Sequence, residues 1–523
     1  MTGLEPATSW SLTRCATNCA TSRIWDCKDS KYFDSSIRII GNFVSLRDMI
    51  KRSTIYVLLA SALSIAAISC QKEKEPSGNE QETEELEDLD DAAILKLVKT
   101  TTINTAYYKD IFLDGGCELN PGIKENGVVI NGKLPYALAK TGITDAEYFL
   151  STINDVGDGY TAEDNAIQLR LISGTTEDSN GVLLYPDGEP RFRMFYSFGG
   201  HSGPHGKTIG VGGRANINKF YTNGGSFAGS CAGAYLAGRY ASGSSSYYYN
   251  IWTDGNMKGT GVSNSSIDIE IVSPIFSSYY GPESLTIVTG TRHNGGGYMD
   301  VNRAPVGTEI LGRFLNQTGK NSTSAGFYGQ PAIWAYKASE TSGRLVVTGS
   351  HPEDAPSGDI LNMTASMFKY AWDGSGIAKV KHVLRNGDMI PMTKSTSDNQ
   401  PQYTAIGDKQ CHHFVIYLTK DVPSLSVDLK GIGDYDLELY LKKDDFAFPN
   451  NNPDYSAIAG GSHQTITTGK LEKGLWYVTV RCATTVTSTE VITDKSKNLG
   501  RYFVYSGKTG VLNGVPYNIS VNW

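Results

Sequence analysis

The chain has 523 residues, more than one hydrophobic core accommodates, and a formal net charge of −7 from 47 basic and 54 acidic residues. That balance offers no basic footprint, so no nucleic-acid partner is expected, and eight cysteines are too few for a disulfide-built scaffold. Glycine is abundant at 57 and tyrosine reaches 30, the composition of a loop-rich chain with strands, its tyrosines half-buried packing groups.

Met49-Ile50-Lys51-Arg52 forms a positive start, Ile55 to Ile68 an apolar run, and Ala67-Ile68-Ser69-Cys70 a small-residue site ahead of a cysteine. The run is short for a membrane span and a polar segment follows at once. This resembles a bacterial lipoprotein signal over 49–69 with Cys70 as the lipidated residue, although Ala67 stands where leucine is usual. The resemblance implies an outer membrane lipoprotein of the bacterial cell envelope, held to the membrane by its lipid anchor. Cys70 to Glu75 is also similar to the surface-export signals of some Bacteroidetes lipoproteins, which would make the protein surface-exposed. A signal works at an extreme N-terminus, so residues 1–48 are expected to be a mis-assigned start. An internal hydrophobic anchor is the alternative. Residues 70–92 are expected to be an acidic tether: Gln71 to Asp91 holds ten acids against Lys72 and Lys74, leaving only about −2 for the folded part of the processed chain.

From Ala92 to Glu163 the pattern is coarse, with a strand at Asp110–Leu113 and helix-like segments over Leu134–Leu150. Ile167–Ile172, Val182–Tyr185 and Phe192–Tyr196 read as strands, and Ala215–Thr222 as a helix. Gly229-Ser230-Cys231-Ala232-Gly233 then reads G-x-C-x-G, the cysteine form of a nucleophile elbow. Small neighbours suit a sharp strand-to-helix turn, and a helix continuing from Ala234 to Ala241 places Cys231 at a helix N-terminus, where the thiolate is favoured. Downstream, Arg344–Thr348 is an apolar strand running into Gly349-Ser350-His351-Pro352-Glu353. His351 can exchange a proton with Cys231, and Glu353 can hold the other ring nitrogen. Strands alternating with helices predict an α/β fold, a doubly wound and mostly parallel sheet whose site lies outside the carboxyl ends of the strands.

G-x-C-x-G followed by His-Pro-Glu resembles the class I glutamine amidotransferase-like superfamily, with its flavodoxin-like fold and Cys-His-Glu triad. Gly225–Leu236, Arg292–Tyr298 and Val347–Glu353 are similar, in order, to the biotin-protein ligase N-terminal domain family. No module that would transfer biotin accompanies them, so the chain is not expected to be a biotin ligase. The resemblance implies Cys231, His351 and Glu353 as catalytic residues. It also implies Gly199, Gly200 and the Ala232 amide as an oxyanion hole, with Gly212-Gly213 the alternative to the first pair. Asn294, Gly295 and Tyr298 are implied as lining a substrate pocket. No cofactor is required, and no metal site is expected from His201 and His205, which lack a nearby cysteine or carboxylate.

After the helix Asp359–Tyr370 the texture becomes all strand. Phe414–Leu418, Leu425–Leu429, Tyr435–Leu441, Trp476–Val480 and Tyr517–Val521 alternate apolar and polar residues, the signature of a β-sandwich. Asp436–Leu439 and Gly474–Val478 resemble the bacterial pre-peptidase C-terminal domain. Asp434 and Asp436 read as a solvated turn, with calcium binding the alternative, and Cys411 and Cys482 as a candidate disulfide. The domains expected are 93–376, amidotransferase-like, and 384–523, sandwich. The activity expected is hydrolysis of an amide or ester, in a peptide or small amide, through a cysteine nucleophile. Two readings stand against it: a non-catalytic surface module binding glycan or peptide, and a purely structural surface protein.

Overall fold

The computed structural model describes residues 86–101, 108–114, 124–125, 128–129, 134–143, 145–149, 180–200, 202–238, 247–279, 286–315, 325–494 and 499–523. The signal, Cys70, most of the tether, Cys117, the expected strand Ile167–Ile172 and His201 lie outside them. Residues Glu84–Trp523 form one compact unit.

A nine-stranded sheet carries the first part of this unit. Its strands in chain order are β1 (Lys109–Asp114), β2 (Ala146–Phe149), β3 (Phe192–Ser197), β4 (Ser226–Ser230), β5 (Ser265–Ile271), β6 (Ile287–His293), β7 (Glu309–Phe314), β8 (Pro331–Tyr336) and β9 (Leu345–Thr348). In space they run β2-β1-β3-β4-β9-β8-β7-β5-β6. The first five are mutually parallel and the junctions from β9 to β6 are all antiparallel. The expectation of a mostly parallel sheet is therefore corrected: the sheet is mixed, half of each kind. Burial separates the centre of the sheet from its antiparallel edge. The residues of β4, β8 and β9 are all buried, whereas β5 and β6 alternate buried with exposed, as antiparallel strands with one wet face do.

Helices pack on both faces of the parallel half. Phe195, Phe227, Leu345 and Val347 face one side, together with Phe220 of α3 (Ser202–Thr222) and Leu236 of α4 (Ala232–Ala237). Met194, Tyr196, Ala228 and Val346 face the other, with Leu138 of α2 (Leu134–Thr141) and Met363 and Phe368 of α5 (Gly358–Asp373). This is the period-two alternation of a strand read on both faces. Several local expectations shift. Leu134–Leu150 divides into α2 and β2, and Val182–Tyr185 is a turn whose Leu184 alone bridges to Pro190. The helix before the elbow begins at Ser202, with a break at Gly210 (φ 74°), and contains Gly212-Gly213.

The second part is a sandwich. One sheet is β10-β12-β17-β14-β15, built from β10 (Val380–Leu384), β12 (Cys411–Leu418), β14 (Leu437–Lys443), β15 (Tyr455–Ala457) and β17 (Gly474–Cys482). The other is β11-β20-β13-β16, from β11 (Met389–Met392), β13 (Ser426–Gly431), β16 (His463–Thr467) and β20 (Tyr517–Asn522). Phe414, Leu439 and Val478 of the first meet Val427, Ile519 and Val521 of the second in a common core. Cys411 and Cys482 are both free. Cys411 lies opposite Arg481, so Cys482 falls on the other face of its strand and joins the other core, which rules out the disulfide. Asp436 is a turn residue whose Oδ1 accepts from Gly461 N at 2.7 Å, and Asp434 pairs with Lys508.

The end of the expected tether is bound rather than free. Asp90 caps α1 (Asp91–Leu97), and Ile94 packs with Val415, Phe446 and Tyr477 on the outer face of the five-stranded sheet. Arg385 holds Asp91 at 2.7 Å. The segment expected to open the α/β part thus covers the sandwich. The two parts are joined by buried charge. Asp187 meets Lys381 Nζ at 2.6 Å and Gln410 Nε2 at 2.7 Å, and Arg191 pairs with Asp408. A hairpin, β18 (Thr487–Asp494) and β19 (Leu499–Ser506), reaches β2, where Tyr505 donates to the buried Glu147.

Candidate active site

Three adjacent parallel strands, β3, β4 and β9, end at the same edge, in register Ser197 with Gly229 and Thr348 with Ser230. Each releases its chain at that edge. After β4, Cys231 turns the chain into α4 with φ 45° and ψ −102°, a conformation costly for a side chain that bears a Cβ. The turn is held by Cys231 N donating to Thr348 O at 2.9 Å and Tyr235 N to Cys231 O at 3.1 Å. Gly233 is required here, because a Cβ would lie 2.1 Å from Ser197 O where α4 crosses the end of β3. α4 is shorter than expected, ending at Ala237.

His351 follows β9 by three residues and is fixed through its N–H to Arg292 O at 2.8 Å. Its Nδ1 lies 3.1 Å from Glu353 Oε1, and its ring stands beside Cys231 across the space left by Gly199. Burial pulls this imidazole down, but Cys231 and the bond and charge of Glu353 outweigh it and push it up to about 11. That direction favours the protonated ring. Gly199 makes room for it: a Cβ there would stand 2.3 Å from His351 Cε1 and 3.4 Å from Cys231 Cβ. Gly200 follows at φ 130°, a conformation that favours glycine, and Ala232 opens α4, where first-turn N–H groups lack intrahelical acceptors. Gly199, Gly200, Ala232, Cys231, His351 and Glu353 are therefore gathered at one edge of the sheet.

The loop 293–297 also reaches this edge, in a different way from the expectation. Asn294 Oδ1 accepts from Asn264 N at 3.2 Å, so its side chain ties the loop down, and its main-chain oxygen is what faces Cys231 Sγ, at 3.8 Å. Gly295 is exposed at φ 71°. Tyr298 pairs with Lys258 and packs against the cluster containing Ile267, Leu311 and Ala332. The structure thus places Asn294 beside the sulfur by its backbone and gives Tyr298 a packing role. His293 is fully buried, with Nε2 2.7 Å from Thr260 Oγ1 and Nδ1 3.1 Å from Ser350 Oγ. Burial, and then the charge of His351, push it down to about 4. A neutral ring bridging two hydroxyls locks the loop against the residue preceding His351.

Two hydroxyls escaped the sequence reading. Ser230 Oγ donates to Glu353 Oε1 at 2.9 Å, and Tyr196 Oη lies 3.0 Å from Ser230 Oγ. The signal available was the position of Ser230 directly before the cysteine on a strand, which turns its side chain to the opposite face. A sulfur beside an imidazole that is hydrogen-bonded to a carboxylate is the set of groups that can hold a thiolate and move a proton. His205 is buried within α3, and among the described residues no cluster of three His, Cys, Asp or Glu side chains forms a metal-binding group.

No protein-family model matches the chain, and no curated protein matches it either. Among solved structures, it is similar to the pre-peptidase C-terminal domain of a collagenase from Bacillus anthracis, at 12% identity and TM-score 0.17, covering 28% of this chain and 98% of that one. A glutamine amidotransferase matches at 14% identity and TM-score 0.28, over 46% and 93%. A Thermoplasma acidophilum protein described as one of the subunits of GMP synthase matches at 10% identity and TM-score 0.28, over 51% and 96%. These are partial likenesses of fold, and the chemistry of the site rests on its own geometry.

Proposed function

We propose that the protein is an exported bacterial lipoprotein whose α/β part is a cysteine hydrolase of the class I glutamine amidotransferase type, similar in pattern to the biotin-protein ligase N-terminal domain. The part from 384 is its pre-peptidase-like sandwich, and Cys70 carries the anchor that holds it in the outer membrane. The observation that carries the enzymatic reading is Cys231, strained at φ 45° on the elbow and set beside an imidazole that meets Glu353 at 3.1 Å.

In the reaction proposed, the Cys231 thiolate attacks the carbonyl carbon of an amide or ester, forming a C–S bond while the carbonyl oxygen takes the negative charge. The Ala232 N–H and those of Gly199 and Gly200 would receive that oxyanion. His351 gives its proton to the leaving amine or alcohol as the bond to carbon breaks, leaving a thioester. Water, deprotonated by His351, then displaces the sulfur and releases the carboxylic acid. Glu353 keeps the ring in the tautomer with Nε2 toward sulfur. Water is the acceptor in this reading.

The test is alkylation by iodoacetamide at pH 7, read by peptide mass spectrometry, followed by an amide and peptide library. Cys231 is expected to label stoichiometrically and ahead of Cys411 and Cys482, whose thiols burial pushes up to about 12. His351→Ala should slow that labelling, and Cys231→Ala should abolish all turnover found in the library. Labelling of Cys231 at the same rate with and without His351 overturns the hydrolase and leaves a binding module.

A further inference from the structure

The carboxylate of the series is held from a second side. Glu353 is 8% exposed, and both its hydrogen bonds converge on Oε1, one to His351 Nδ1 at 3.1 Å and one from Ser230 Oγ at 2.9 Å. Its Oε2 has no hydrogen-bond partner among the described residues. One of the two bonds is to the very ring that Glu353 must aim, so the other is the fixed point. Ser230 is fully buried on β4, in the residue before the nucleophile, and its place is set by Thr348 of β9 alongside it.

A serine hydroxyl has one proton, and here it is given to a carboxylate. The hydroxyl of Tyr196, 3.0 Å from Ser230 Oγ, is then the donor to that oxygen. Tyr196 is 2% exposed, with its ring edge-on to Phe198 at 4.8 Å and to Phe368 at 5.0 Å, so its hydroxyl is not free to turn away. Donating into Ser230 polarises the serine O–H and strengthens the bond it makes to the carboxylate. The same strand, β3, continues into Gly199-Gly200, so one element supports both the carboxylate and the expected oxyanion donors.

We propose that Ser230, backed by Tyr196, is the positioning residue of this site: its hydroxyl holds Glu353 so that Oε1 meets His351, which in turn serves Cys231. The proposal rests on the reading of Cys231 as an activated nucleophile. It gives the serine of G-S-C-A-G a chemical reason beyond small size.

The experiment measures two things in wild type, Ser230→Ala, Ser230→Thr and Tyr196→Phe, each first checked for an unchanged thermal transition. These are the NMR titration of the His351 ring and the pH dependence of Cys231 alkylation. Ser230→Ala should bring the His351 titration down by a unit or more and slow alkylation at pH 7 about tenfold, the worth of one charge-assisted hydrogen bond. Ser230→Thr should restore both. Tyr196→Phe, which removes one oxygen without touching Glu353, should act in the same direction by about threefold. Titration and alkylation unchanged in both Ser230→Ala and Tyr196→Phe overturn the positioning role and leave the hydrolase standing. A wild-type Cys231 that gains nothing from His351 removes the hydrolase itself, a separate outcome.

Discussion

His351 at the edge of the large sheet is mostly buried, His412 in the joint between that sheet and the sandwich is fully so, and each meets a buried carboxylate. His351 Nδ1 is 3.1 Å from Glu353, and His412 Nε2 is 3.6 Å from Asp187. They titrate in opposite directions. His351 is pushed up to about 11, whereas burial pushes His412 down to about 4 despite the carboxylate. Two things differ: Cys231 stands beside His351 and raises it, and the two carboxylates are engaged differently. Asp187 is already engaged by Lys381 Nζ at 2.6 Å and Gln410 Nε2 at 2.7 Å, and the ammonium opposes a second positive charge. Glu353 receives only neutral hydroxyl donation from Ser230, so its charge is available to the imidazole. The lesson is that burial makes a histidine neutral by default, and that a neighbouring sulfur together with an uncommitted carboxylate reverses it.

The largest effect should come from freeing the other carboxylate. Lys381→Met removes the cation that competes for Asp187, leaving a buried charge short of its partner at a cost of about 3–5 kcal/mol in urea unfolding near neutral pH. His412 should respond by taking a proton, its NMR titration rising from about 4 to above its ordinary 6.5. A His412 that stays neutral in the variant sinks the comparison, because the carboxylate would then be free and still without effect. Glu353→Gln performs the converse at the sheet edge. It keeps the shape and removes the charge, so His351 should fall from about 11 toward the buried neutral pattern, and Cys231 alkylation at pH 7 should slow about a hundredfold. The alkylation rates of wild type and variant, taken on protein with matched melting curves, decide it.

What could be read from the sequence was what short-range geometry determines. G-S-C-A-G specifies its own turn, since Gly233 must pass Ser197 O and Cys231 must take a positive φ, and His351 and Glu353 stand two residues apart at the end of one strand. What could not be read was pairing over distance. Strands alternating with helical patterns implied parallel order, yet β5 to β8 pair antiparallel, and nothing in their apolar runs states which neighbour they choose. Asn294 was legible as a site residue by type, but its side chain goes to Asn264 N and its backbone to the sulfur. The acids at 88–91 looked like pure spacer because the residue that binds them, Arg385, lies almost three hundred positions away. Ser230 passed as a small residue until Glu353 stood against it.

The smallest effect is a slope. Burial lowers His293, His412 and His413 to about 4, about 4 and about 3, so between pH 6.5 and about 4 the unfolded chain holds protons on them that the native chain does not. Stability from these rings is therefore fully present above about 6.5 and is lost as pH falls through their folded values. His351 runs the other way: its contribution is complete below 6.5 and is lost as pH rises through about 11. His413 isolates the acid side, because its ring is edge-on to Phe446 and Phe448 at 4.8 and 5.0 Å and its Nδ1 meets only the Thr479 hydroxyl, far from the site. His413→Phe keeps that packing and removes one titrating group. Urea unfolding of wild type and variant across pH 4.5–6.5 should show the acid loss of stability shallower in the variant by about 1.4 kcal/mol per pH unit, one proton's worth. Parallel lines for the two proteins would mean that His413 is charged in its aromatic pocket, and that burial without an available carboxylate does not suffice to keep a histidine neutral in this fold.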